Sequence, residues 1–485
     1  MARTSTYDVI VVGHEPAAMM CAGLLQRMRY RVLWIGQGGL KDHYGADSDR
    51  LPALPWMLPP YGQGPALDQV LSELKVEDPV HQLGVDSDDP KHTLQIITPT
   101  RRLDLLLDPE HLAKELDRAW PEASREVADF AHKLIRHEET LQSTLGDLPH
   151  LPPESLRDKG KAKRQTAKMQ AADLGPRDQW PWLWRLLAQA TAFGSHLDEE
   201  ARGPGVTSHL MASMLSGLRP VPDLCERLQK ALGKAGVECE AKVMVKELLI
   251  EGKQVVGVET TRSGAVFKAS ALVAGMPLAE LTALVPPKMR RRKFRLLSES
   301  VRPQLSVFCV DLVVPKSALP LGLGKQVLLV RDMDGPWTED GLIHLRCLPH
   351  PHRRDRIQLN LSCLVPYHKS KLGREYLGPL QQSMVTQSAK VIPFLEENME
   401  GMTSPFWEAR AADTGHPSAW LLHRTLETDL PISMGMAVLP MPLAYKNLLL
   451  CGPEAMPGLG IEGQAQAALQ VTRWIKGNKR LKKIL

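Results

Sequence analysis

The sequence predicts a buried strand over Tyr7–Val12 (YDVIVV), a helix over Pro16–Met28 and a second strand over Arg31–Ile35 (RVLWI). The turn between the first two constrains the fold more than any other feature of the chain. Gly13-His14-Glu15-Pro16-Ala17-Ala18 lies over the G-x-G-x-x-G/A fingerprint of a dinucleotide-binding βαβ unit. Gly13 permits the tight turn, and Ala18 is small enough for helix–strand packing. Glu15 stands where a glycine would let the backbone approach a pyrophosphate, and it brings a negative charge to an anion position. The same carboxylate, just before Pro16 at the first helical position, suits the helix N-terminus by roughly 0.3–1 kcal/mol. On that reading Glu15 fills the anion site itself. The second strand departs too: it ends Ile35-Gly36-Gln37, and no acid follows before Asp42 to bind a ribose. Gln37 offers one neutral hydrogen bond there.

At 485 residues the chain is expected to form two intertwined domains. A net charge of +5 over this length, with no basic stripe interleaved with aromatics, argues against nucleic acid. The seven cysteines are scattered and lack a C-x-x-C pair, which suits a reducing cytoplasm. No apolar run approaches the length of a membrane span, and no secretory signal is read. Two basic segments, 288–295 and 476–485, either face solvent or meet anionic headgroups at a membrane surface.

Residues 65–145 carry helical periodicity, broken at Trp120-Pro121. Residues 146–178, rich in Lys and Arg and free of aromatics, are expected as an exposed loop. Trp180, Trp182 and Trp184 follow, and alternate tryptophans either pack a core or line an apolar tunnel. A helix is expected over Val221–Ala235, a strand over Lys242–Lys246, a hairpin over 255–268 and a short buried strand over Ser270–Gly275. Several strands between 303 and 365 suggest an antiparallel sheet with helices around it. No metal-ligand cluster or nucleophile–base pattern is found; His350-Pro351-His352 reads as a loop, and no catalytic residue is assigned.

Near the C-terminus a buried strand ends in Gly452. A glycine-rich turn, Pro457-Gly458-Leu459-Gly460-Ile461-Glu462-Gly463, then opens a helix that runs to Ile475. Paired with the N-terminal unit, this resembles the phytoene desaturase and carotenoid isomerase branch of the FAD-dependent amine-oxidase superfamily. Asn447, Leu448, Gly452, Pro457, Gly458, Gly460 and Gly463 match that family's closing motif. The resemblance implies an α/β fold: a Rossmann-like FAD/NAD(P)-binding domain from 1–60, 205–285 and 440–485, and an α+β substrate domain with an antiparallel sheet from 61–204 and 286–439. It implies that Gly13 to Ala18, with Gly36 and Gln37, face the ADP half of FAD. Val243 would offer backbone contact to the adenine, and Gly452 with Pro457 to Ile461 would cover the flavin. Against the family's pattern, Glu15 replaces a glycine, Gly36 the ribose acid and Ser216 the first glycine of a pair, and Gly38-Gly39-Leu40 lacks the usual basic residue.

Two functions are expected from these residues. One is an FAD-dependent oxidoreductase or isomerase acting on an apolar, polyene or lipid-like substrate, in the cytoplasm or at a membrane surface. The other is a non-catalytic binding or scaffold protein, with a small-molecule or protein partner, that keeps the fold after losing FAD, as Rab GDP-dissociation inhibitors do. A loosely held flavin or another nucleotide is a third.

Overall fold

The computed structural model describes residues 5–478 apart from 40–41, 45–50, 54–55, 60–63, 77–93, 123, 152, 154, 171–173, 263 and 408–422. Leu40 and the basic residues of 479–485 lie outside the described residues.

Five strands run parallel in the order Glu238–Glu240, Val32–Ile35, Ser5–Val12, Val266–Ala274 and Leu448–Leu450. The N-terminal strand is central, and Val9 to Val12 are buried on both faces, which is why its sequence is an unbroken β-branched run. Pro16–Arg27 packs on this sheet beside the closing helix Gly460–Gly477 and beside Leu224–Ala235. The antiparallel pair Val245–Glu251 and Gln254–Thr260 joins the first half of Val266–Ala274, on the edge whose second half takes Leu448–Leu450. The segments read as Val266–Lys268 and Ser270–Gly275 are therefore one strand that changes partner midway. The strand expected over Lys242–Lys246 begins only at Val245, because the Val243 N–H turns back to donate to the Glu240 carbonyl (3.3 Å). The helix expected from Val221 begins at Leu224, and Arg219–Val221 instead pairs with Trp56–Leu58.

The second sheet has eight described strands, with the long strands Val301–Pro315 and Arg356–Pro366 paired side by side toward one edge. Alternation sorts its faces: Val307, Cys309, Leu328 and Leu364 pack toward the helices Pro109–Ala119, Ser124–Leu145 and Trp182–Ala190. Phe308, Val310, Leu312 and Val314 pack toward Arg374–Ala389. The region 65–145 is not wholly helical. Leu94–Ile97 and Arg102–Leu105 form a hairpin that extends this sheet, with Thr98 N–H donating to Arg101 O (2.9 Å) across the turn. Four-residue strands are too short to show a period against helical neighbours.

Two further expectations resolve here. The stretch 146–178 is not an exposed loop throughout: it carries the helix Leu156–Gln170, with Ala162 and Gln165 buried and Leu148, Leu151 and Leu174 set into the core on either side. Most of its Lys and Arg lie on the outward face, which gave the stretch its loop-like composition. The tryptophans pack a core. The Phe130 ring stacks on Trp184 (4.9 Å) and meets Trp180 edge-on (5.2 Å), while half-buried Trp182 sits against Trp120 and Trp337. In the basic segment, Arg292–Glu299 buries Phe294 and Leu297, exposes Leu296, and sets Arg291 over the Tyr445 ring. Among the described residues no helix is long and apolar enough to cross a membrane.

Candidate functional site at the ends of the parallel strands

Open parallel sheets bind ligands beyond the carboxyl ends of their strands. Four strand ends meet there, with Gly13 N–H donating to Ile35 O (2.9 Å), Gly275 N–H to Val12 O (2.7 Å) and Cys451 N–H to Ala274 O (2.8 Å). At Gly13 φ is +137°, and any Cβ would overlap the Gly275 carbonyl, so the first glycine of the fingerprint is required by packing. A Cβ on Gly275 would in turn strike Ala18, which confirms the need for a small residue at that position.

Glu15 has φ −70° and ψ 149° ahead of Pro16 and forms no side-chain cap. The helix N-terminus is closed from elsewhere: Ala17 N–H donates to Oε1 of Gln464, a fully buried residue of the closing helix (3.2 Å). The Glu15 carboxylate points toward His14 Nε2 (3.7 Å) and into a crevice of about 380 Å³. Pro277, Pro453 and Glu454 form its sheet side, and His196, His423 and Arg424 face them. The two imidazoles lie ring against ring (4.2 Å). Burial pushes His423 down to about 4 and His196 well below its usual value, so both are neutral at pH 7. Burial raises the Glu454 carboxyl, which accepts Leu278 N–H (2.6 Å).

The ribose end is occupied by the chain itself. Gln37, in a left-handed conformation (φ +50°), accepts the Val245 N–H on Oε1 (2.6 Å), so its expected hydrogen bond goes to backbone. A Cβ on Gly36 would lie 2.5 Å from Ala241 O and 3.0 Å from the Trp34 ring. That indole is fully buried and donates from Nε1 to Gly13 O (2.8 Å), so it runs between the first turn and the end of the second strand. Val243 sits just before its strand, its N–H held by Glu240.

The closing turn packs against its own chain as well. A Cβ on Gly458 would lie 2.7 Å from Gly435 O, and one on Gly460 would overlap Gly194 O. Pro457 O accepts His196 N–H (2.9 Å), and Gly458 O accepts the Ser195 hydroxyl (2.9 Å). Gly452 is looser, since a Cβ there would stay 3.4 Å from Met276 N. Asn447 acts as a staple: it accepts Val255 N–H (2.9 Å) and donates to Val255 O and Ser270 O (both 2.7 Å). Asn447→Ala leaves these buried groups unmatched and is expected to cost about 3 kcal/mol, read as a lower urea midpoint.

Leu459 and Ile461 line a second, part-open cavity, about 590 Å³ with the solvent at its mouth included, between the closing turn, the helix Pro204–Leu215 and the large sheet. Here lie residues that sequence reasoning missed. Glu462 accepts Ala66 and Leu67 N–H (2.9 Å each), and burial raises its carboxyl to about 7. His209 holds Glu138 (3.0 Å): burial opposes its charge, but the Glu138 carboxylate outweighs this and the pKa rises. Ser213 and His344, with Thr191 and Gln326, add further polar groups to the wall. Gln464, Gln466 and Gln470 are buried with Glu462, and amides recurring within an otherwise apolar helix were a readable signal. A further buried cluster, Asp311, Arg346, Gln358, Asn360 and Ser362, ties the large sheet to Tyr44 and Pro52. His350 caps its own loop, its Nδ1 accepting the N–H groups of His352 and Arg353. Among the described residues no three such side chains are placed to hold a metal ion.

No protein-family model matches the chain, and no curated protein matches by sequence. Solved structures do match. An oxidoreductase from Methanosarcina mazei aligns over 96% of this chain and 100% of its own, at 13% identity and a TM-score of 0.59. Putrescine oxidase, in its complex with putrescine, aligns over 98% and 100% at 13% identity and a TM-score of 0.57. Cyclohexylamine oxidase from Brevibacterium oxydans aligns over 97% and 99%, also at 13% identity and 0.57. None of the three is a phytoene desaturase, so that branch rests on the sequence resemblance alone. The chain has, along nearly its whole length, the α/β fold of these amine oxidases and oxidoreductases.

Proposed function

We propose that this chain is a binding protein that keeps the amine-oxidase fold without its dinucleotide and holds an apolar small molecule in the cavity beside the closing turn. The observation that carries this is the Gln464 amide on Ala17 N–H, at the helix end where a pyrophosphate would bind. Supporting it are the Gln37–Val245 bond and the Trp34 indole on the ribose side. Electrostatics favours the same reading. A carboxylate about 4 Å from a phosphate charge costs about 4 kcal/mol at an effective dielectric of 20. The helix dipole returns at most about 2 kcal/mol to an anion. The groups around the turn therefore do not fit FAD.

An FAD-dependent oxidoreductase acting on an apolar substrate is the competing reading, favoured by the whole-length match to oxidases. Glu15→Gly separates the two. If Glu15 alone blocks the site, the variant takes up FAD and turns yellow. With Gln464, Gln37 and Trp34 in place it is expected to stay colourless. The cavity is tested with the neutral fluorescent dye N-phenyl-1-naphthylamine. Wild type is expected to bind it saturably, and Leu210→Trp, which fills the cavity, to lose that binding while its circular dichroism is unchanged. Wild type that binds no dye contradicts the proposal.

A further inference from the structure

We propose that the cavity beside the closing turn takes a neutral apolar molecule by a single hydroxyl or carbonyl oxygen, which Ser213 and His344 recognise. This deepens the binding reading and rests on it.

Both side chains line the cavity and are more than nine-tenths buried, and neither the Ser213 hydroxyl nor either ring nitrogen of His344 has a hydrogen-bond partner. Serine in a helix ordinarily turns back onto the carbonyl four residues earlier. Ser208 does so onto Pro204 O and Ser216 onto Ala212 O, each at 2.8 Å in this helix or at its end. Ser213, between them, does not. A buried donor and acceptor left unpaired is costly, so such groups mark where a ligand or an ordered water bonds. Burial and the nearby Arg346 charge keep His344 neutral, with one N–H and one lone pair, and the Phe193 ring packs against it (5.2 Å). A hydroxyl can use both roles, and a carbonyl one.

The remaining wall selects against charge. Among the described residues no Arg or Lys lines the cavity to meet an anion. The two charged residues present are engaged, Glu462 with the Ala66 and Leu67 N–H groups and His209 with Glu138. Met57, Phe193, Leu210, Met214, Leu459 and Ile461 offer an apolar body only van der Waals contact.

The test displaces N-phenyl-1-naphthylamine from the full-length protein at neutral pH with decan-1-ol, decane, decanoate and decylamine. Decan-1-ol is expected to displace the dye at about one-tenth the concentration of the other three, the effect of one well-made hydrogen bond. Ser213→Ala and His344→Phe are each expected to shrink that advantage to about threefold or less, with decane unaffected. A merely structural role would weaken all four ligands together. Decane equal to decanol overturns the polar recognition and leaves the apolar cavity standing. Preference for decanoate or decylamine overturns the neutrality. A wild type that binds no dye overturns the cavity reading beneath both.

Discussion

Gly460→Ala is expected to remove about 4 kcal/mol or more of stability, enough to leave little folded protein. Gly460 has φ +55° and ψ −126°, a region closed to residues with a side chain, which costs about 1–3 kcal/mol. The new Cβ would also overlap Gly194 O, and that atom is backbone, part of a segment held by Gly194 N–H on Thr191 O (3.0 Å). Overpacking against a fixed neighbour adds about 1–3 kcal/mol. Gly252→Ala is the control: φ is +58° but nothing lies within 4 Å, so about 1 kcal/mol is expected. Urea melts of the two variants give the comparison. If Gly460→Ala melts like wild type, the closing turn is not packed as described. The result bears on function because these glycines, which match a flavin-covering motif in the resembled family, have a sufficient reason to persist without a flavin.

Glu462→Ala is expected to cost about 3 kcal/mol, because it strips two buried N–H groups at the start of Pro65–Leu74 of their acceptor. The same residue gives stability a pH dependence of definite sign. Its folded pKa is about 7, against an ordinary 4.5, so between those values the folded state holds a proton that the unfolded state has lost. Its contribution is therefore fully present below about pH 4.5 and lost as pH rises through 7, at about 1.4 kcal/mol per unit. Asp42 and Asp311, each raised by burial to about 6, act in the same direction. The buried His196, His344 and His423, held below their ordinary values, act the other way, so the Glu462 share is read as a difference: Glu462→Gln, which cannot ionise, is expected to lose less stability than wild type between pH 5 and pH 8, shifting that gap. Urea midpoints at the two pH values decide it. An unchanged gap in the variant would show that Glu462 is ionised throughout.

The sheet core was legible because burial on both faces leaves a continuous apolar run, as in Val9 to Val12 and Leu448 to Leu450. Gly13 and Ala18 were legible because only small residues fit that turn. The fate of Glu15 was not, since its neighbour in space, Gln464, lies 447 residues away in sequence. Gln37 reads as a neutral hydrogen-bonding group for a ribose, but its partner in the fold is Val245 N–H, 208 residues away in sequence, which no local pattern records. The alternation Gln358, Asn360, Ser362 reads locally as a solvent face. It is buried because Tyr44 and Pro52 cover it, and no local pattern records that. Ser213 looks like any helical serine until its missing bond is compared with those of Ser208 and Ser216.

The most direct test is an FAD titration of purified wild type, followed by flavin fluorescence and visible absorbance. A nucleotide end closed by Gln464, Gln37 and Trp34 predicts a colourless protein and no saturable signal up to ~100 µM FAD. A yellow protein carrying near-stoichiometric FAD, or a tight saturable titration, would contradict it and return the chain to the flavoenzymes.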